Sequence, residues 1–83
     1  MAIDSGAPTT LSKEEIEKVK ALVLRHLQDH DHITNRLLRE LSGVTYDQAI
    51  YFFGQMIKQE LLDRIGTTSS IHYVLSERRL KKQ

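Results

Sequence analysis

A three-residue turn, Ser-Gly-Val at positions 42–44, separates two short helical patterns and limits the folds that this 83-residue chain can adopt. Before the turn, Thr34 is a good N-cap for a short helix. The inner face of that helix is predicted from three leucines at helical spacing: Leu37, Leu38 and Leu41. Gly43 suits the left-handed backbone position that often follows a helix C-terminus. The pattern predicts a helix over residues 35–41 and a sharp change of direction after it.

A second helical pattern begins directly after the turn. Thr45 is its predicted N-cap, and Gln48 completes a capping box, in which each side chain bonds the other residue's backbone N–H. The pattern ends near Gln59 or Glu60. On a wheel of about 100° per residue, the predicted inner face consists of Ala49, Phe53, Met56, Ile57 and Glu60, with Phe52 at its edge. The predicted outer face consists of Asp47, Gln48, Tyr51, Gly54, Gln55 and Lys58.

A longer helical pattern precedes both of these segments. Ser12 and Glu15 have the spacing of another capping box, and we expect the helix that they open to end near Asp29 or His30. Its apolar stripe recurs at steps of three and four residues: Ile16, Val19, Val23 and Leu27. Ile33, an isolated apolar residue before the next cap, is interpreted as a very short strand.

Two short β-prone runs, at residues 61–66 and 71–75, flank a polar tip and predict a hairpin. Three helices followed by a hairpin give the order α-α-α-β-β. This order is typical of a winged helix-turn-helix, a mainly α fold with a small β-hairpin (α+β). We place that domain at residues 11–76, after a flexible lead or linker at 1–10 and before a basic tail at 77–83.

Composition excludes several classes of protein. The formal net charge of +1 is far from that of a dedicated nucleic-acid binder, whose domain pI often exceeds about 9, but it does not exclude DNA binding, because the placement of charge matters more than its sum. The chain has no cysteine, which excludes disulfides and thiolate metal sites and is compatible with the cytoplasmic location that we expect. No apolar run approaches the ~20 residues that cross a bilayer, so no membrane partner is expected.

The sequence does not predict an enzyme. The phosphate-binding loop GxxxxGK[ST] is absent, and the serines have simpler roles as caps and turn residues. His26 and His30 have a spacing that can chelate a metal, but the motif HExxH is absent because position 27 is leucine. We therefore expect no catalytic residues, no metal and no cofactor.

Residues 33–75, ITNRLLRELSGVTYDQAIYFFGQMIKQELLDRIGTTSSIHYVL, resemble the C-terminal winged-helix segment of RecG-related proteins. These proteins are ATP-dependent DNA helicase-like or act as transcription regulators, and usually carry an upstream Schlafen-type divergent ATPase domain. The similar segments are ITN at 33–35, RELSGV at 39–44, LLDRIG at 61–66 and YVL at 73–75, with Ala49 between them. The resemblance covers about half the chain. It implies an accessory DNA-binding domain that contains no helicase motor.

The chain departs from that resemblance at two places. RecG-related proteins tend to have basic or small polar residues early in the third helix, where this chain has Tyr46, Asp47, Ile50, Tyr51 and Phe52. Their wing tends to be rich in glycine and basic residues, whereas this wing is Thr-Thr-Ser-Ser at 67–70. No Lys or Arg occurs from position 42 to 57.

Two functions are consistent with this pattern. The first is binding of double-stranded DNA by the outer face of the third helix, with phosphate contacts from the second helix. The residues assigned to it are Gln48, Tyr51, Gln55, Lys58, Arg36 and Arg39. The alternative is contact with a protein partner or a second copy, since exposed apolar patches mark partner surfaces. The residues assigned to it are Tyr46, Ile50, Tyr51 and Phe52.

Overall fold

The computed structural model describes residues 9–67 and 70–77 of the chain. It contains three helices followed by a two-stranded antiparallel hairpin, which confirms the predicted α-α-α-β-β order of a mainly helical fold. The elements are α1 (Lys13–Asp29), α2 (Asn35–Ser42), α3 (Tyr46–Lys58), β1 (Leu62–Ile65) and β2 (His72–Leu75).

The three predicted helix caps are all present. Capping boxes begin α1 and α3, and the Thr34 side chain accepts a hydrogen bond from the Leu37 backbone N–H at the start of α2. Gly43 adopts the expected left-handed conformation, with φ of 80°. An L side chain is strained there, so glycine is what allows α3 to start so soon after α2.

Backbone hydrogen bonds to Ile33, in the segment before α2, connect the hairpin to the helices. β1 pairs with β2 from Leu62↔Leu75 to Ile65↔His72. The Ile33 backbone N–H donates to the Tyr73 carbonyl at 2.9 Å, and the Tyr73 N–H donates to the Ile33 carbonyl at 2.8 Å. This bridge confirms the very short strand predicted at Ile33 and fixes β2 beside the start of α2.

The core lies where all the elements meet. Its largest fully buried side chains are Phe52, Phe53, Leu27, Ile33, Leu38, Met56, Leu62 and Val23. Phe53 of α3 stacks face to face on Tyr73 of β2, with ring centroids 3.7 Å apart. This contact joins the helix to the hairpin and fixes which side of α3 faces solvent.

The predicted inner face of α3 was wrong at three positions. Phe52 is completely buried rather than at the edge, whereas Ile57 is 39% exposed and Glu60 is exposed beyond the end of the helix. The buried side is therefore centred on Ala49 and Met56 and turned toward Phe52. Burying an aromatic ring removes more apolar surface from water than burying isoleucine does, which favours this rotation.

The predicted inner face of α2 also needs one correction. Leu38 is fully buried and Leu37 is half-buried, but Leu41 is 43% exposed. The helix has eight residues, about two turns. Its single fully buried position is taken by Leu38, and its last turn leaves Leu41 at the surface.

Some predicted features lie outside the described residues. They are most of the N-terminal lead (1–8), the centre of the wing tip (68–69) and the cations of the tail, Arg78, Arg79, Lys81 and Lys82. In the ranges that the structure does describe, no helix is both long enough and apolar enough to span a membrane.

Candidate interaction surface

The solvent-facing side of α3 carries three large apolar residues. Tyr46, Ile50 and Ile57 are 57%, 46% and 39% exposed. At about 100° per residue, they lie within about 40° of one another around the helix. We call these three residues the α3 stripe. It runs nearly the full length of a 13-residue helix.

Gly54 lies beside the stripe, four residues after Ile50 and three before Ile57. Gly54 is exposed, and among the described residues a Cβ at this position would have no atom within 4 Å apart from the neighbouring backbone of its own helix. The helix backbone is therefore bare at the middle of the exposed face. Asp47 and Lys58, both exposed, lie at opposite ends of α3 on the flank of the stripe that Gly54 occupies.

Two of the predicted DNA-reading side chains on α3 are held by their own fold. The Gln48 Oε1 accepts the Thr45 backbone N–H at 3.0 Å, while the Gln48 Nε2 donates to the Thr10 carbonyl at 3.4 Å. Tyr51 is half-buried and packs against the core. Both side chains stabilise the domain, which leaves them less available to a ligand.

The other two predicted readers differ in exposure. Gln55 is half-buried. Lys58 is exposed and is the basic residue of the last turn. Since no other residue of α3 is basic, the positive charge of this helix is confined to its C-terminal end.

The two predicted phosphate contacts on α2 already have partners. Arg36 is an exposed side chain whose Nε lies 3.4 Å from a Glu40 carboxylate oxygen. The Arg39 Nε donates to the Asn35 Oδ1 at 2.7 Å. The Arg39 guanidinium also lies 5.5 Å from the centre of the Tyr46 ring, a cation–π contact that holds it against the α3 stripe.

A cleft of about 600 Å³ opens between the start of α2, the start of α3 and the hairpin. Its lining residues are Thr34, Asn35, Arg36, Tyr46, Ile50, Arg64, Ile71 and Tyr73. The Asn35 Nδ2 is buried and makes no hydrogen bond among the described residues. Burial raises the pKa of the Tyr73 hydroxyl, an effect that Arg64 opposes and Tyr46 reinforces.

The four predicted partner-contact residues differ in their exposure to solvent. Tyr46 and Ile50 are exposed, Tyr51 is half-buried, and Phe52 is fully buried in the core. Phe52 therefore has no surface to offer a partner. Ile57 was missed because it lies four residues after Phe53, a spacing that also suits a core position. Its exposure depends on the rotation of α3 that the Phe53–Tyr73 stack fixes.

The four histidines lie near the C-terminal end of α1, where their rings contact one another in two pairs. The His26 and His30 rings stack 4.1 Å apart, and His32 meets His72 edge to face at 5.1 Å. The His26 Nε2 lies 3.2 Å from the His32 carbonyl oxygen. Across residues 9–67 and 70–77, no group of three or more metal-ligating side chains is close enough to hold an ion.

No family model, curated protein or solved structure matches this chain. The resemblance to RecG-related proteins therefore stays a prediction that rests on the segments quoted above. The geometry of α3 is the basis for assigning a function.

Proposed function

We propose that this winged helix binds a protein partner through the exposed face of α3. The observation that carries the proposal is the α3 stripe, in which Tyr46, Ile50 and Ile57 remain 39–57% exposed on one side of a helix. Anchors spaced at about one and three turns of a helix are a common way for one helix to engage a hydrophobic surface. Tyrosine is also enriched at the centres of protein interfaces.

The charges of α3 favour protein over DNA. Affinity for DNA depends on lysines and arginines that displace counterions from phosphates. α3 has one such residue, Lys58, at its last position, and Asp47 in its first turn. A carboxylate at the start of the helix would repel a phosphate backbone.

The second candidate function is binding of double-stranded DNA, the activity that the RecG resemblance implies. One observation favours it. Arg36 and Arg64 line the same cleft, at the end of the molecule where α3 begins. In this reading the two arginines neutralise phosphates on either side of the helix N-terminus.

Capture from a cell extract tests the proposed function. The full chain would be immobilised as wild type, as Ile50→Glu and as Leu22→Glu. Leu22 is 39% exposed on α1, so it controls for adding a carboxylate to an apolar surface residue elsewhere. We expect a protein, identified by mass spectrometry, that the wild type and Leu22→Glu bind and Ile50→Glu loses. Equal capture by all three proteins, together with a wild-type chain that does not self-associate, would contradict the proposal.

The DNA candidate has its own test. Binding of a mixed-sequence duplex would be measured at low and moderate salt for the wild type and for the double variant Arg36→Ala/Arg64→Ala. If DNA is the partner, affinity falls steeply with salt, and the double variant lowers the slope of that dependence by about two. A wild type without measurable affinity at low salt excludes this candidate for the chain.

A further inference from the structure

We infer that the partner covering the α3 stripe is a second copy of this chain, docked with the two α3 helices antiparallel about a two-fold axis. This inference rests on the proposed function, because it requires that the α3 face binds protein. It adds the identity of the partner and the geometry of the contact.

Gly54 is the first observation that points to a close-packed helix. Glycine inside a helix is destabilising relative to alanine. Among the described residues nothing calls for glycine here, because no atom outside the neighbouring backbone of α3 lies within 4 Å of a Cβ at this position, and the φ of Gly54 is not positive, unlike that of Gly43 and Gly66. The bare backbone between Ile50 and Ile57 forms a shallow notch. A second helix can approach such a notch more closely than it can approach a side chain.

The second observation is the placement of opposite charges at the two ends of α3, along the flank of the stripe that Gly54 occupies. Asp47 and Lys58 are eleven residues apart in the chain, about 16 Å along a helix axis. Among the described residues, no ion pair involves either side chain. In an antiparallel arrangement, Asp47 of each copy faces Lys58 of the other, so the dimer contains two Asp47–Lys58 pairs.

A single two-fold axis serves both the charges and the apolar residues. The point midway between Asp47 and Lys58 falls between positions 52 and 53, and that midway between Ile50 and Ile57 falls between 53 and 54. The two points differ by one residue, about 1.5 Å along the helix. A face that is complementary to itself in this way fits a two-fold contact.

Other arrangements fit the same face less well. A parallel pair would place Asp47 against Asp47 and Lys58 against Lys58, and would align the helix dipoles unfavourably. A DNA phosphate would meet Asp47 at the start of the helix. The antiparallel pair satisfies both charges and covers Tyr46, Ile50 and Ile57 together.

The expected dimer is weak. A 13-residue helix is about 20 Å long, so contact through α3 buries less than the roughly 1,200 Å² of a standard stable interface. Sedimentation equilibrium of the full chain, from about 10 μM to about 1 mM, covers the range in which weak association appears. We expect the mass to rise from one copy toward two across this range.

Mixing two charge-reversal variants tests the geometry itself. Asp47→Lys alone and Lys58→Asp alone each place like charges opposite one another, so each should associate about tenfold or more weakly than the wild type. An equimolar mixture of the two pairs every charge with its opposite, and association should recover. Glu14→Lys, a reversal in the first turn of α1, is the control and should associate like the wild type.

Gly54→Leu is a second, independent test, because leucine favours helix formation and so does not threaten folding at this exposed position. It should fill the notch and abolish association, while circular dichroism shows an intact fold.

The inference is overturned if the wild type stays monomeric, if the mixture sediments no faster than its components, or if Gly54→Leu associates normally. If the extract experiment then identifies a different protein that Ile50→Glu fails to capture, the proposed function survives without the self-association. If, in addition, the extract contains no protein whose capture depends on Ile50, both the self-association and the proposed function fail.

Discussion

The rings of Phe53 and Tyr73 lie parallel, 3.7 Å apart and tilted by 3°, with Phe53 on α3 and Tyr73 on β2. Tyr73 is also bonded through its backbone to Ile33, so one residue joins the third helix, the hairpin and the segment before α2. Because this stack fixes the rotation of α3, it also determines that Tyr46 and Ile50 face solvent.

The stack predicts a large stability difference between two aromatic residues of α3. Phe53→Ala should lower the free energy of unfolding by about 3–5 kcal/mol, because it opens a cavity in the core. Tyr46→Ala should lower it by less than about 1 kcal/mol, since Tyr46 is more than half exposed. Urea denaturation of both variants at low protein concentration measures the difference. Similar losses for the two would mean that the stack does not organise the domain.

The capping box of α3 predicts a structural role for Gln48. Gln48→Ala should destabilise the domain by about 0.5–1 kcal/mol, because the Thr45 backbone N–H loses its acceptor. Gln48→Glu keeps that acceptor and places a negative charge near a helix N-terminus, so it should unfold within about 0.5 kcal/mol of the wild type. Thermal unfolding compares the three proteins. If Gln48→Ala is as stable as the wild type, the Gln48 side chain is not needed for the fold and remains a candidate for binding.

Two glycines should respond to alanine in opposite directions. Gly54→Ala should stabilise the monomer by about 0.5–1 kcal/mol, because the position is helical and has open space around it. Gly43→Ala should destabilise it by roughly 1 kcal/mol, because its φ is 80°. Chemical denaturation of dilute samples measures both. Destabilisation by Gly54→Ala would reveal a packing requirement that the structure does not contain.

Burial of Tyr73 predicts a loss of stability in alkali. Its pKa in the folded protein is raised above the ordinary 10.0 mainly by desolvation, with Arg64 opposing and Tyr46 adding to the rise. As pH increases, the unfolded chain releases this proton first. The contribution to stability is therefore complete below about pH 10 and lost as pH rises through the folded pKa. Tyr73→Phe keeps the ring and should flatten this part of the stability–pH curve, measured by urea denaturation. If the stability–pH curve of Tyr73→Phe matches that of the wild type, groups other than Tyr73 cause the loss of stability in alkali.

The sequence was sufficient to predict the elements because their signals are local. Thr34, Thr45 and Ser12 mark helix starts through short-range bonds, and Gly43 marks a turn through its backbone freedom. Even the brief pairing of Ile33 could be expected from an isolated apolar residue beside a cap. The caps and the turn depend on neighbours in the chain, whereas the partner of Ile33 is Tyr73, forty positions away.

The candidate site was harder to predict because it depends on the rotation of α3. Phe52, Phe53 and Ile57 are all large and apolar, and helical spacing alone does not say which of them the core will take. The answer comes from the hairpin, through the Phe53–Tyr73 stack between residues twenty positions apart. That contact buries Phe52 and exposes Ile57, so the extent of the α3 stripe emerged only in three dimensions.

The most direct test of the role of α3 is an NMR experiment on the labelled chain with two arms. In one, protein concentration is raised; in the other, a short mixed-sequence duplex is added at low and then moderate salt. We expect the backbone amides of Ile50, Gly54 and Ile57 to shift as the protein becomes more concentrated and to respond little to DNA. Shifts at Gln48, Tyr51 and Gln55 that appear with DNA and fade with salt, without any dependence on protein concentration, would contradict the account and establish α3 as a DNA-contacting helix.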